Sequence, residues 1–204
     1  MNDVSGLKAG DRHYRAWVGQ PERYDLLGAL QFNLLTTLGL REFHRVLDIG
    51  CGSLRAGRLL IPYLLPGHYC GVEPEAWLIE EATEFELTPS LIKLKQPVFR
   101  ATRDFNFEGL GLFDYVIAQS IFSHASLHQI TVCLAAIRNV IKQDGLCVVN
   151  YLVGESDYSG TEWAYPECVS YKPETMCGLV EAAGFGLRHL VYPHPAGLSW
   201  ILVF

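Results

Sequence analysis

The 204-residue sequence predicts an α/β fold: a mostly parallel, seven-stranded sheet with helices on both faces and an antiparallel strand pair at its C-terminal end. Three observations predict it. Short apolar runs alternate with helix-period segments from Pro21 onward. Two of those runs, Val46-Leu47-Asp48-Ile49 and Phe113–Gln119, are apolar along most of their length, as strands covered on both faces must be. The last two runs, Gly186–Tyr192 and Ser199–Phe204, flank only the tight segment Pro193-His194-Pro195-Ala196-Gly197. That leaves no room for a crossover helix, so they pair antiparallel.

Taken in order, residues 1–20 are polar and punctuated by glycine, which reads as an arm or lid ahead of a single domain over 21–204. Pro21 opens an amphipathic helix through Leu40, with Leu26, Leu27, Leu30, Leu34, Leu35 and Leu38 at helical spacing and Gly39 near its end. The strand Arg45–Ile49 stops in Gly50-Cys51-Gly52. Ser53 is placed to cap a helix that runs to about Leu65, where Pro66-Gly67 breaks it. His68–Glu73 is the second strand, Glu75–Thr83 the second helix and Val98–Ala101 the third strand. Phe113–Gln119 is followed by a helix over Leu127–Ile141, with Leu134, Ile137 and Ile141 on one face. Asp144-Gly145 turns the chain into the strand Leu146–Val153. Residues 154–172 have no period and are rich in aromatics and glycine. Pro173–Ala183 is helical and ends at Gly184.

Composition bounds the function. Half the residues are hydrophobic and 19% are charged, as in a globular domain. Sixteen Lys and Arg against 22 Asp and Glu give a net charge of −6, and no dense basic run appears. This argues against nucleic acid as a partner. The longest apolar stretches, such as Leu59–Leu65 and Ile201–Phe204, fall far short of the roughly 18 residues of a membrane span, so no membrane association is expected. The opening Met1–Gln20 carries Asp3, Lys8, Asp11, Arg12 and Arg15, which leaves no apolar core for a signal peptide and points to the cytoplasm. Six cysteines, at 51, 70, 133, 147, 168 and 177, show no C-x-x-C pair and read as free thiols packed as small hydrophobes.

The glycine turn carries the first chemistry. Asp48 at a strand end, then Gly50-x-Gly52, lets the chain turn sharply and lets a ligand approach the backbone. Glu73 ends the next strand, where a carboxylate can accept hydrogen bonds from ribose hydroxyls. A dinucleotide fingerprint wants a third glycine where this chain has Arg55, so the helix start is poorly suited to a pyrophosphate. A cofactor bearing an amine and a sulfonium suits the nearby Asp48 carboxylate better.

At these residues the sequence resembles the class I S-adenosylmethionine-dependent methyltransferases. Val46-Leu47-Asp48-Ile49-Gly50-Cys51-Gly52 is similar to their first motif and Gly71-Val72-Glu73-Pro74 to their second. Phe113–Gln119 resembles their fourth strand, and Ile141-Lys142-Gln143-Asp144-Gly145-Leu146 the step into their fifth. Leu54 departs from the pattern, standing where many members carry a small residue. The resemblance implies a Rossmann-like domain with S-adenosyl-L-methionine as cofactor. It implies that Gly50, Cys51 and Gly52 line the methionine part, that Glu73, before Pro74, holds the ribose, and that Asp104 with Phe105 meets the adenine. Gln119 and Ser120 would border the sulfonium. It also makes residues 154–172, with Tyr158, Trp163, Tyr165 and Tyr171, a substrate-facing insertion; with His13, Tyr14 and Trp17 of the arm these aromatics would form an amphipathic lid.

Methyl transfer is catalysed largely by alignment and needs a base only to deprotonate the nucleophile. The candidates that project from the carboxyl ends of strands are His124, Glu155 and His194, with His124 first because it follows the central fourth strand. The alternative for His124 is a helix cap. His124 and His128, four apart, lack a third ligand, so no metal is expected. Nothing like an Asn-Pro-Pro-Tyr motif follows the fourth strand. The sequence therefore reads as an enzyme that methylates a small-molecule acceptor, first of all a hydroxyl of a sugar or natural product. Its rivals are a non-catalytic scaffold that binds the cofactor and a nicotinamide-dependent oxidoreductase. No feature of the sequence signals an oligomeric state.

Overall fold

A computed structural model describes residues 4–204, so Met1–Asp3 of the expected arm lie outside the described residues. The chain divides into two compact units, Met1–Ala101 and Thr102–Phe204.

In the first unit the arm contains a short helix, α1 (Tyr14–Trp17), and a 3-10 turn at Pro21–Arg23 leads into α2 (Tyr24–Thr37). The α2 face formed by Leu27, Gln31, Leu34 and Leu35 is buried, and Gly39 ends the helix at φ +102°. Then follow β1 (Val46–Ile49), α3 (Gly57–Tyr63), β2 (Tyr69–Val72), α4 (Ala76–Glu86), α5 (Pro89–Lys95) and β3 (Val98–Arg100). The strands are parallel in the order β3-β2-β1, with Val46 opposite Tyr69 and Cys70 opposite Val98. Every residue of β1 and β2 is buried, Asp48 included, as mostly apolar strands covered on both faces are.

Two expectations fail here for local reasons. Ser53 does not cap α3, which starts four residues later at Gly57 with Ala56 as its N-cap. Leu54 adopts a left-handed conformation, φ +58°, so residues 52–56 form turns and the helix cannot begin at Ser53. The second change is an added helix. Thr88 caps α5 by accepting the Leu91 N–H at 3.2 Å, and left-handed Gln96 ends it. None of its residues is buried, which is why no hydrophobic period announces it.

The second unit contains β4 (Phe113–Ala118), α6 (Leu127–Arg138), β5 (Ile141–Val153), the two-residue β6 (Ser170–Tyr171), α7 (Pro173–Ala182), β7 (Leu187–Leu190) and β8 (Ser199–Val203). Ser126 and Gln129 form a reciprocal capping box at the start of α6. β4 and β5 are parallel; β8 runs antiparallel to both β5 and β7, giving the order β4-β5-β8-β7 with β6 off the path against β5. The predicted C-terminal antiparallel pair is present. Asp144-Gly145 is not a turn between elements but lies within β5. Phe113 pairs with Ile141 and Tyr115 with Leu146, so the intervening residues bulge out of the ladder. A Cβ on Gly145 would lie 2.6 Å from Ile141 Cγ1 and 3.0 Å from the Lys142 carbonyl oxygen, so the bulge is fitted to glycine.

All six cysteines are free, and Cys51, Cys70, Cys133 and Cys147 are buried as small apolar side chains. Among the described residues no helix is long and apolar enough to cross a membrane.

Candidate active site

The first unit builds a glycine turn at the carboxyl end of β1. Gly50 and Gly52 take φ +66° and +52°, left-handed values that glycine adopts without steric cost. The N–H groups of Gly50 and Cys51 both donate to the Val72 carbonyl, at 2.8 and 3.1 Å, tying the turn to the end of β2. Glu73, next along, accepts the Gly52 N–H on Oε2 and the Glu75 N–H on Oε1, each at 3.0 Å. Burial pushes the Glu73 carboxyl up to about 7, against the lowering effect of these two donors. Pro74 is exposed in the bend that follows.

Asp48 is buried and accepts the Tyr69 hydroxyl at 2.7 Å. Burial raises its carboxyl to about 6, opposed by that hydrogen bond and by the charge of Arg55. Burial, with the Asp48 and Glu73 charges, also pushes the Cys51 thiol well up, so it stays neutral. Gly71 leaves room for this sulfur: a Cβ there would lie 2.8 Å from Cys51 Sγ.

The arm is pinned over the same turn. Arg55, in the position where a dinucleotide motif has glycine, donates to the Val18 carbonyl at 2.9 Å. A Cβ on Gly52 would lie 2.6 Å from Val18 Cγ1. Trp17 packs edge-on against Trp77 of α4, with ring centroids 5.5 Å apart, and the Arg12 guanidinium lies 3.4 Å from the Trp77 ring centre. Tyr14 and Arg15 both reach Glu86 at the far end of α4.

These residues fit a nucleoside cofactor with an amino-acid tail. The turn is a backbone cradle that a Cβ at Gly52 would fill, and each Glu73 oxygen holds only one backbone donor, which leaves lone pairs for hydroxyls.

In the second unit, β4 ends in Gln119 and the left-handed Ser120, φ +58°. The Ser120 N–H donates to Asn150 Oδ1 at 2.7 Å, and Asn150 Nδ2 donates to Gln119 Oε1 at 2.9 Å. Gln119 Nε2 lies 3.2 Å from His194 Nε2 and also donates to Ser120 Oγ. His194 sits between β7 and β8. The pairing of Tyr151 with Ser199 puts that connection at the carboxyl end of β5, as the topology predicts. Asn150 is absent from the sequence reading, although an asparagine inside Cys147-Val148-Val149-Asn150-Tyr151 was its signal: a buried amide must be hydrogen-bonded.

His124 lies in the turn between β4 and α6, buried. Its Nδ1 is 2.6 Å from the Glu167 carbonyl, which can only accept, so Nδ1 carries the proton and Nε2 holds the basic lone pair. Burial lowers the His124 pKa, opposed by the Glu167 carbonyl, which favours a neutral ring. Tyr165 and Trp163 flank the imidazole, with centroids 5.0 and 5.7 Å away. The Ala164 N–H donates to the His124 carbonyl and the Val169 N–H to the Ser123 carbonyl, so the insertion at 154–172 is fastened around this histidine. The helix cap expected as the alternative role of His124 belongs instead to Ser126.

The remaining candidates stand apart from that cluster. Glu155 is exposed in the bend after β5. Asp104 is exposed, with its carboxyl held low first by the Thr102 hydroxyl and then by the Asn106 N–H; Phe105 beside it has φ +54°. His128 is exposed on α6, and among the described residues no group of three His, Cys, Asp or Glu could hold a metal.

Residues 47–147 match the family model of a methyltransferase domain. Magnesium protoporphyrin IX methyltransferase (ChlM) from Synechocystis PCC 6803, solved with bound S-adenosylmethionine, is 17% identical, with 88% of this chain and 80% of that chain covered at a TM-score of 0.63. Streptomyces venezuelae DesVI is 13% identical over 92% and 94%, TM-score 0.64. The glycopeptide N-methyltransferase MtfA, with S-adenosylmethionine bound, is 10% identical over 86% and 93%, TM-score 0.65. These likenesses show the fold, Rossmann-like α/β.

Proposed function

We propose that this chain, which belongs to the class I S-adenosylmethionine-dependent methyltransferases, passes the methyl group to a small-molecule acceptor, first of all a hydroxyl of a sugar or natural product. It is an enzyme of that class and its cofactor is S-adenosyl-L-methionine. The proposal takes residues 21–204 as one catalytic domain and residues 1–20 as its arm or lid; the family match over 47–147 runs across the boundary between the two units.

When bound, the cofactor supplies a methyl group on a sulfonium. The residues that the resemblance to the family implies for it are Asp48, Gly50, Cys51, Gly52, Glu73 and Pro74, with Asp104, Phe105, Gln119 and Ser120. Glu73 accepts ribose hydroxyls, and the glycine turn brings backbone close to the amino-acid tail.

His124 is the proposed base, ahead of Glu155 and His194. The observation that carries this is its fixed tautomer: with Nδ1–H given to the Glu167 carbonyl at 2.6 Å, the Nε2 lone pair is the site that takes a hydroxyl proton. Trp163 and Tyr165 around it offer ring faces suited to a sugar or an aromatic scaffold. The net charge of −6 without a basic run supports a partner other than nucleic acid. The acceptors in the names of two structural neighbours, magnesium protoporphyrin IX and a glycopeptide, are also not nucleic acids. Free cysteines throughout support a reducing compartment, the cytoplasm.

The test is a transfer assay with isotope-labelled methyl donor against separate panels of glycosides, phenols, amines and carboxylates. Label should enter the hydroxyl panels. Label only in amines or carboxylates would move the acceptor class, and cofactor binding with no transfer to any panel would favour the scaffold reading.

A further inference from the structure

Tyr24 opens α2 and is wholly buried, and its two ends touch different parts of the first unit. The hydroxyl donates to the Ser53 carbonyl at 2.5 Å, across 29 residues of sequence. Ser53 directly follows Gly52, so the glycine turn is held from two elements. The end of β2 holds it through the Val72 carbonyl and the Glu73 carboxylate, and α2 holds it through Tyr24. A carbonyl can only accept, and burial pushes the phenol up against the effect of the Ser53 bond, so the hydroxyl keeps its proton and the direction of this bond is fixed. The need for it is local. Leu54, next in the chain, is left-handed at φ +58°, a conformation that a non-glycine residue keeps only where its surroundings hold it.

The ring of the same residue seats the arm. The Arg15 guanidinium lies 4.6 Å from its centre, and the Tyr14 ring packs edge-on at 6.1 Å. The Arg58 guanidinium of α3 lies 5.5 Å from the same centre. Asp25, the next residue, takes one cation on each oxygen, Arg58 at 2.7 Å and Arg15 at 3.3 Å. Arg15 and Tyr14 also reach Glu86 of α4. A cation is attracted to the π-system of a ring whether or not that ring carries a hydroxyl. The contact with the turn and the contact with the arm are therefore chemically separable.

We propose that Tyr24 is a positioning residue for cofactor binding with two separate tasks: its hydroxyl fixes the backbone at Ser53, where the glycine turn meets the cofactor's amino-acid tail, and its ring seats Arg15, so that the arm stays docked on that turn. The arm needs such a seat because its contact with the turn is narrow. Val18 covers the space where a Cβ on Gly52 would stand, and Arg55 holds the Val18 carbonyl at 2.9 Å. Tyr24 touches no cofactor atom in this role; it acts through Ser53 and through Arg15. The part concerning the amino-acid tail rests on the methyl-transfer reading, and the two structural tasks do not.

The experiment compares Tyr24→Phe, which keeps the ring and removes the hydroxyl, with Arg15→Gln, which removes the arm's cation and leaves Tyr24 intact. Hydrogen exchange on the full chain, free of cofactor, reads the turn at the Leu54 amide, which donates to Cys51, and the arm at the Trp17 and Gly19 amides, which donate to His13 and Ala16. In Tyr24→Phe the Leu54 amide should exchange about three- to tenfold faster, the worth of one hydrogen bond, while the arm amides keep their wild-type rates. In Arg15→Gln the arm amides should speed up and Leu54 should not. Calorimetry then uses S-adenosylhomocysteine and 5′-methylthioadenosine, which lacks the amino-acid tail. Tyr24→Phe should weaken the first about three- to tenfold and the second about twofold at most. Turn and arm loosening together in both variants, or a Tyr24→Phe turn that exchanges like wild type, would overturn the two tasks and leave Tyr24 as core packing. Equal losses for the two compounds would overturn the role toward the tail. Wild-type protein that binds neither compound would overturn the cofactor reading and the tail role with it, and the exchange pattern would still decide the two structural tasks.

Discussion

Glu73 accepts the backbone N–H of Gly52 at 3.0 Å across 21 residues of sequence. One carboxylate thereby joins the end of β2 to the turn that leaves β1. It also explains why a buried acid is tolerated: two backbone donors, from Gly52 and Glu75, hold it where burial alone would expel the charge.

Glu73 should make cofactor affinity depend on pH. Hydroxyl donors favour the ionised carboxylate, and its pKa in the free protein is about 7. Below that value binding must first remove a proton, so affinity for S-adenosylhomocysteine should rise by up to about tenfold per pH unit from pH 5.5 toward 7 and level off above. Calorimetry across that range in two buffers of different ionisation enthalpy reads both the slope and the released proton. Glu73→Ala should flatten the slope and weaken binding about 10- to 100-fold, the worth of charge-assisted hydrogen bonds.

The same residue sets a stability trend. Its folded pKa lies above its ordinary value, so between about 4.5 and 7 the folded state holds more protons than the unfolded one, and stability falls as pH rises through that window. The full effect is about 3 kcal/mol. Asp48, raised to about 6, adds to it with the same sign. The melting temperature of the cofactor-free protein should drop from pH 5 to pH 7, and Glu73→Gln should remove most of the drop. A flat wild-type profile contradicts this.

Gly52→Ala should damage the turn twice. The residue sits at φ +52°, and the new methyl would lie 2.6 Å from Val18 Cγ1. A loss of about 1–3 kcal/mol is expected, with weaker cofactor binding. Adding Val18→Ala relieves the contact but not the backbone, so the double variant should recover part of the stability. Full recovery would mean that the dihedral carries no strain.

His124→Ala should lower kcat by about 100-fold or more while cofactor affinity stays near wild type, because the ring is placed to take the acceptor proton. It should also loosen residues 163–169, which Trp163, Tyr165 and Glu167 fasten to the ring. Faster amide exchange in that segment with kcat unchanged would leave His124 as an anchor only.

Anisotropy titrations with DNA and RNA should show no tight association at physiological salt. Binding whose affinity falls steeply as salt rises would reverse the argument from net charge.

Periodicity and punctuation made most of this chain legible in advance. β1 and β2 are buried along their whole length because they are apolar apart from Asp48, whose carboxylate accepts the Tyr69 hydroxyl, and the short link between β7 and β8 permits only an antiparallel pair. Gly50, Gly52 and Glu73 were readable for the same reason: a turn of that shape needs residues that tolerate positive φ, and the acid follows at the next strand end. Helix α5 escaped because it buries nothing, and Ser53 misled because the left-handed Leu54 decides where α3 begins. Side-chain commitments were beyond the sequence altogether. That His124 gives Nδ1–H to Glu167, 43 residues away, and that Gln119 faces His194, 75 residues away, are settled only when the chain has folded, since hydrogen-bond direction depends on atoms that tertiary packing alone brings within 3.2 Å.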